Sequence, residues 1–201
     1  PASHPTTHLA TTRLSGENNP KRLLTVYALA MASGDADRVK DSFWAETPDQ
    51  RAVVDAYAHL ARSVGALRKA STDKYGPDGF DHIGFGQMFA AQTKTIENTR
   101  LFVDGPKALA FTNRDNKPDL RLVRVETGWK ISATSFAHPA QFAARIDAQA
   151  TAYDELATEI AAGKYRLATD AQVAGRNKVR DAKAALEQKL KASTQPAQPG
   201  K

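Results

Sequence analysis

The sequence predicts an α+β domain with a helical C-terminal extension. Apolar residues repeat at helical spacing through the first half of the chain. The period changes from 3.6 to 2 near Thr95 and returns to helical spacing after His138. With 201 residues, the chain is long enough for one domain with a sizeable core.

Each element has its own signal. Asn19-Pro20 supplies a helix cap and a proline at the first helical position, where its missing N–H costs nothing. Leu23, Val26, Tyr27, Ala30 and Met31 form the stripe of the first helix, and Gly34 stops it. Asp35 restarts a short helix holding Val39 and Phe43, with Trp44 next. Thr47 and Gln50 make a capping box, and a long helix runs from there to about Tyr75, with a break expected near Gly65. Then comes GPDGFDHIGFGQ (Gly76–Gln87), followed by one helical turn at Met88–Ala91. Strands are predicted at Thr95–Val103, Ala108–Thr112, Asp119–Glu126 and Trp129–Ser135, with Asp104-Gly105-Pro106 and Asn113–Pro118 as turns. Val123 and Val125 fall out of phase with Leu120 and Leu122, which predicts a bulge or burial on both faces. His138-Pro139 opens a helix whose seam is Phe142, Ile146, Gln149, Tyr153, Leu156 and Ile160. A last helix is expected from Thr169 to Lys191.

The charge is unevenly placed. Residues 164–201 hold nine Lys and Arg against three acidic residues, and the rest of the chain is balanced. The net charge of +6 therefore belongs to the C-terminal segment. With no cysteine, disulfides, thiolate metal sites and cysteine nucleophiles are excluded. No apolar run has the length of a membrane-spanning helix. The Thr-, Ser- and Pro-rich residues 1–18 read as a disordered tether of the kind left after removal of a targeting segment. That points to an exported protein, periplasmic or extracellular. Residues 192–201 read as a disordered tail.

Two segments, RLLTVYALAMASGDADRVKDSFWA (Arg22–Ala45) and LRLVRVETGWKISATSF (Leu120–Phe136), resemble the opening helices and closing hairpin of the nuclear transport factor 2-like superfamily. That superfamily includes SnoaL-like proteins and ketosteroid isomerases. The resemblance implies a cone-shaped fold over residues 19–136, in which a curved antiparallel sheet wraps the N-terminal helices around an apolar pocket. Residues 137–191 would be an appended helical extension. Ketosteroid isomerases use an aspartate base and an oxyanion hole of tyrosine and protonated aspartate. Tyr27, eight residues before Asp35, stands where the oxyanion tyrosine stands. The base has no counterpart, and the protonated aspartate's place falls near Arg121. The resemblance thus implies a non-catalytic domain that binds a small apolar or amphipathic ligand or serves as an interaction module.

Several side chains are candidates for the site. Tyr27, Tyr57, Phe85, Phe89, Phe111 and Trp129 would line a pocket or a core; Arg121 would bind an anionic group if it lies on the concave face of the sheet, and solvent exposure on the convex face is equally compatible. His82, beside Asp78 and Asp81, is the acid–base candidate for an isomerase, lyase or hydrolase reading, with Tyr27 as its oxyanion group. Asp55 and His59 share a helix face, read as a solvated pair, since two ligands are too few for a metal. His4 and His8 lie in the tether, and His138 is expected to cap a helix. No cofactor or metal is implied. The glycine-rich stretch is not a phosphate cradle: no strand precedes it, no lysine follows, and the third glycine of GxGxxG is missing. It is expected to cross the mouth of the cone as a lid, with Phe80 and Phe85 as anchors and Asp81-His82 as rim. The basic last helix would suit an anionic surface, but it lacks interleaved aromatics, so nucleic acid is not favoured. The 142–160 seam would pack onto the domain or make a homodimer.

Overall fold

The structure, a computed structural model, describes residues 18–112 and 117–194. The tether with His4 and His8, most of the 113–118 turn and most of the C-terminal tail lie outside the described residues. The chain folds as α1 (Pro20–Ser33), α2 (Ala36–Asp41), β1 (Phe43–Trp44), α3 (Pro48–Tyr75), α4 (Gly79–His82) and α5 (Phe85–Glu97). There follow β2 (Arg100–Asp104), β3 (Lys107–Phe111), β4 (Leu120–Val125), β5 (Gly128–Ser132), a 3₁₀ turn (Ala133–Ser135), α6 (Pro139–Ala161) and α7 (Ala168–Thr194). This is an α+β architecture.

The first two helices start and stop where the caps place them. The Asn19 side chain accepts from the Lys21 N–H, and Asp35 accepts from the Arg38 N–H at 3.0 Å. Gly34 ends α1 at φ 84°, donating its N–H to Ala30 and Met31. The Arg68 guanidinium covers the Ala32 carbonyl near the end of α1, at 2.8 and 3.1 Å.

The expected break near Gly65 does not occur. α3 runs unbroken for 28 residues, about 42 Å. Gly65 serves close approach: a Cβ placed on Gly34 would stand 2.5 Å from the Gly65 Cα. The end of α1 therefore rests directly on the backbone of α3. Gly76 stops α3 as expected, donating to the Thr72 carbonyl.

The largest departure lies between Phe85 and Thr99. A helical turn and then a strand are predicted, but α5 continues to Glu97 and β2 starts only at Arg100. The β-branched residues that suggest a strand are accommodated by helical hydrogen bonds. The hydroxyls of Thr93, Thr95 and Thr99 donate to the carbonyls of Phe89, Ala91 and Thr95, four residues back. Phe89 is buried beneath the helix.

The sheet has the order β1-β5-β4-β3-β2. Four strands are antiparallel, as expected, but the sheet is mixed, because the unforeseen strand β1 joins β5 in parallel. The pairings of β4 run in unbroken register on both sides, so no bulge forms there. The other half of the expectation describes Val123 and Val125, which are half-buried on the face away from Leu122. The fourth strand ends at Ser132 and gives way to the 3₁₀ turn.

The 142–160 seam packs onto the domain. α6 lies parallel to α3: Val53 and Ala56 meet Ala143 near one end, and the Tyr75 hydroxyl donates to the Tyr165 carbonyl near the other. Ala56, Ser63, Ala143 and Ala150 are buried. Small side chains let the helix axes come close, and the Ser63 and Ser71 hydroxyls are satisfied by carbonyls of their own helix. α7 returns along α6. Ala171 is fully buried, and a Cβ on Gly175 would meet Leu156 Cδ2 at 2.7 Å. Lys178 bonds Glu155 at 2.9 Å and Glu159 at 3.3 Å. α7 is thus docked along one face rather than solvated all round.

The Gly34–Gly65 contact yields a prediction. Gly34→Ala should cost about 3 kcal/mol, combining a left-handed alanine with an overpacked crossing. Gly163 also has a positive φ of 75° but only the flexible Lys74 tip near its missing Cβ. Gly163→Ala should cost about 1–2 kcal/mol, the backbone part alone. Urea unfolding of the two variants measures the difference.

Candidate functional site

Where α1, α3, α5, α6 and the sheet converge, they leave a cleft of about 320 Å³. Its walls are Leu24, Tyr27, Ala28 and Met31 from α1, Tyr57, Leu60 and Val64 from α3, and Met88, Phe89 and Ile96 from α5. Leu120 closes the sheet side, and Gln149 and Tyr153 come from α6. Gln92, Thr95 and Thr112 also line it, and the exposed Gln92 and Thr95 mark its mouth on the α5 side. Among the described residues no charged side chain lines the cleft.

The polar groups inside are phenols, amides and hydroxyls. Burial raises the Tyr27 hydroxyl well above its ordinary value, and the neighbouring Tyr57 adds to the effect. Tyr27 keeps part of its ring surface on the cleft while its hydroxyl is desolvated. Burial pushes Tyr57 up to about 12, against a smaller opposing hydrogen bond from Tyr27. Both hydroxyls therefore stay protonated over the whole ordinary pH range. Gln149 donates to the Tyr153 hydroxyl at 2.8 Å. Tyr27 and Tyr57 are held in place by rings: Tyr27 meets Phe43 edge-on at 5.5 Å, and Tyr57 stacks on Phe43 at 5.3 Å.

Of the expected site residues, Tyr27, Tyr57 and Phe89 come together on this cleft. Phe85 lies one cavity away. It contacts Tyr153 edge-on at 4.9 Å and lines a second hollow of about 290 Å³ between α4–α5 and α7, with Met88 and Tyr153 as shared walls. Trp129 is buried in the core on the Leu122–Ile131 face and does not reach the cleft. Phe111 is half-buried on the opposite sheet face, beneath the Arg100 guanidinium. Arg121 pairs with Leu109, on the face turned away from buried Ala108 and Leu122, and is exposed. It has no access to the cleft.

His82 and Asp81 are both exposed and outside the cleft, and no hydrogen bond joins them. The Asp81 carboxylate instead lies against Gly86, where an added Cβ would fall on top of it. The glycine-rich stretch forms α4 and the start of α5 rather than a loop across a mouth. Phe80 is buried as an anchor, stacked on Phe89 at 6.1 Å and capped by Arg68 at 4.2 Å. His138 takes the cap position of α6 with a left-handed backbone, φ 50°, but its side chain makes no capping bond.

Sequence reasoning misses one cluster. His59 is no solvated partner of Asp55, which pairs with Lys40 at 2.9 Å. Its ring instead bridges to α6, with Nδ1 2.6 Å from Asp147 and Nε2 2.8 Å from Asp154. Desolvation works against the charged ring, but the hydrogen bonds it donates to both carboxylates outweigh it, and the His59 value is raised. Both ring nitrogens are taken up by carboxylates, and among the described residues no His, Asp and Glu group is arranged to hold a metal. Arg62 and Asp55 line the same shallow groove. The seven-residue spacing of Asp147 and Asp154 on one α6 face is the signal in the sequence, but it acquires meaning only once α3 lies alongside.

Comparisons of the chain with protein-family models, with curated proteins and with solved structures return no match. Among the described residues, no helix is long and apolar enough to cross a membrane.

The His59 bridge has a definite pH dependence. Its folded-state value lies above 6.5, so the bridge contributes fully below pH 6.5 and is lost as pH rises through the folded value. The stability advantage of the wild type over His59→Gln should therefore shrink with rising pH in urea unfolding. In an NMR titration the His59 midpoint should lie above 6.5, and in Asp147→Asn/Asp154→Asn it should fall to 6.5 or below, because desolvation then acts unopposed.

Proposed function

We propose that this chain is a non-catalytic binding domain for a compact, neutral, apolar or amphipathic small molecule held in the α1–α3–α5–α6 cleft. The observation that carries this reading is the lining: a mainly apolar wall, phenol and amide groups at a few points, and no charge among the described residues. Its volume of about 320 Å³ falls at the small end of the roughly 300–1,000 Å³ of small-molecule sites. A charged ligand would pay desolvation with no ion to meet it. A neutral ligand with one or two oxygen atoms would find donors in Tyr57 and Gln149, since the Tyr27 proton is engaged by Tyr57.

The same lining weighs against the enzyme reading. The one proton of the Tyr27 hydroxyl is directed at Tyr57, and no carboxylate or imidazole among the described residues lines the cleft. The anionic-surface reading loses weight too, because Lys164 and Lys178 of the basic segment are engaged with Glu159 and Glu155. We also infer a distant nuclear transport factor 2-like cone. Two helices joined at Gly34-Asp35, a third helix, and strands in hairpin order over a ligand cleft support it.

The neutral dye Nile red tests the binding reading. It should bind saturably at one site per chain. Gln92→Trp changes an exposed residue at the mouth and should lower the affinity about tenfold or more without altering the fold by circular dichroism. Unsaturable dye uptake, or uptake indifferent to Gln92→Trp, would refute a cleft site.

A further inference from the structure

We propose that β2, at one edge of the sheet, is a self-pairing strand that joins two copies of this chain into a two-fold symmetric dimer. β2 reads Arg100-Leu101-Phe102-Val103-Asp104. Among the described residues only β3 pairs with it, and none of them makes a backbone hydrogen bond to its other side. Native edges are protected by charged side chains, proline, a bulge or very short strands; β2 has no proline or bulge, and its charged residues, Arg100 and Asp104, stand only at its two ends. It instead exposes two large apolar side chains, Phe102 at 63% and Val103 at 51%.

The register selects a partner. Asp104 and Lys107 flank the two-residue turn Gly105-Pro106 and form the closing pair of the hairpin. Hydrogen-bonded and open pairs alternate along an antiparallel ladder. Phe102 therefore bonds to β3 with Leu109, while Leu101 and Val103 aim their N–H and C=O groups outward. An antiparallel second β2 centred on Phe102 sets Leu101 against Val103 of the other copy, in two pairs that exchange all four outward hydrogen bonds. Phe102 then faces its own copy across the axis at the close, non-hydrogen-bonded spacing.

The charges complete the match. In that register Arg100 of one copy lies opposite Asp104 of the other, twice, on the face that carries Phe102. The five residues are thus complementary to themselves when reversed, in hydrogen bonding, apolar contact and charge. A symmetric interface requires such self-complementarity. A one-residue shift would set unlike faces together and lose the charge pairing. β1, at the other edge, has only two residues and offers no comparable template. A five-residue edge buries less than the roughly 800 Å² per partner of a standard interface, so the dimer should dissociate on dilution.

Charge reversal tests the register. In sedimentation equilibrium over a dilution series, the wild type should show a monomer–dimer equilibrium. Arg100→Asp alone and Asp104→Arg alone place like charges opposite each other and should each weaken dimerisation about tenfold or more. The double variant Arg100→Asp/Asp104→Arg should restore it. Both residues are exposed, so folding is not at stake. The chain has no cysteine, so Phe102→Cys provides an orthogonal readout. Its Cα should lie about 4.5 Å from its copy, within disulfide range, and mild oxidation should give a covalent dimer, while Leu109→Cys one strand inward should not. A protein that stays monomeric at all concentrations, or a dimer indifferent to the single reversals, would overturn the proposal.

Discussion

The close parallel pairing of α3 and α6 is the constraint on which the rest of the molecule depends. Alanine and serine at the contact, among them Ala56, Ser63, Ala143 and Ala150, let two long helices approach. The same approach brings both carboxylates of α6 to the two nitrogens of His59. Larger residues on the same faces have the opposite effect. Tyr57, Leu60, Val64, Gln149 and Tyr153 cannot interlock as tightly, and the gap they leave becomes the cleft once α1 and α5 close over it. Tight packing on one side of the helix pair and a hollow on the other are consequences of one distribution of side-chain sizes.

The remaining elements are placed against that pair. α1 lies across α3 at Gly34 and Gly65, which fixes the height of Tyr27 above the cleft floor. Arg68 ties the end of α1 to Phe80 of α4, and Phe80 in turn carries Phe85 and Phe89. α7 supports α6 from behind through Ala171, Gly175 and the Lys178–Glu155–Glu159 group. Glu159 shows the electrostatic side of that support: hydrogen bonds from Lys164 and Tyr165, with Lys178, bring its carboxyl down to about 2. A carboxyl lowered in this way stabilises the fold above its ordinary value of 4.5, and that stabilisation is lost as pH falls through about 2.

Local chemistry was legible in the sequence wherever it acts over a few residues. The Asn19-Pro20 start, the Thr47–Gln50 capping box, the Gly34 and Gly76 stops and the hairpin turn at Gly105-Pro106 all appear where their signals stand. What could not be read depends on distant partners. Gly65 looks like a helix breaker until Gly34 is seen resting on it. Thr95 and Thr99 look like part of a strand until their hydroxyls find the carbonyls four residues back. β1 has no signal of its own, because two residues acquire strand character only by lying beside β5. At the site, Tyr27, Tyr57 and Phe89 were legible as large residues on apolar stripes. Arg121 was not placeable, because the turned-away face of β4 is set by pairing rather than by spacing. Gln149 carried an unused hint, as the one polar residue in the apolar seam of α6.

The central claim is that the cleft is a site for a neutral small molecule and not a packing defect. The most direct measurement is a high-resolution crystal structure of the protein purified without denaturation and examined for density between Tyr27, Tyr57 and Gln149. The account predicts continuous density of a compact molecule there, with an oxygen atom within hydrogen-bond distance of a phenol. A cleft collapsed around Met88 and Ile96, or one holding only ordered water, would contradict it.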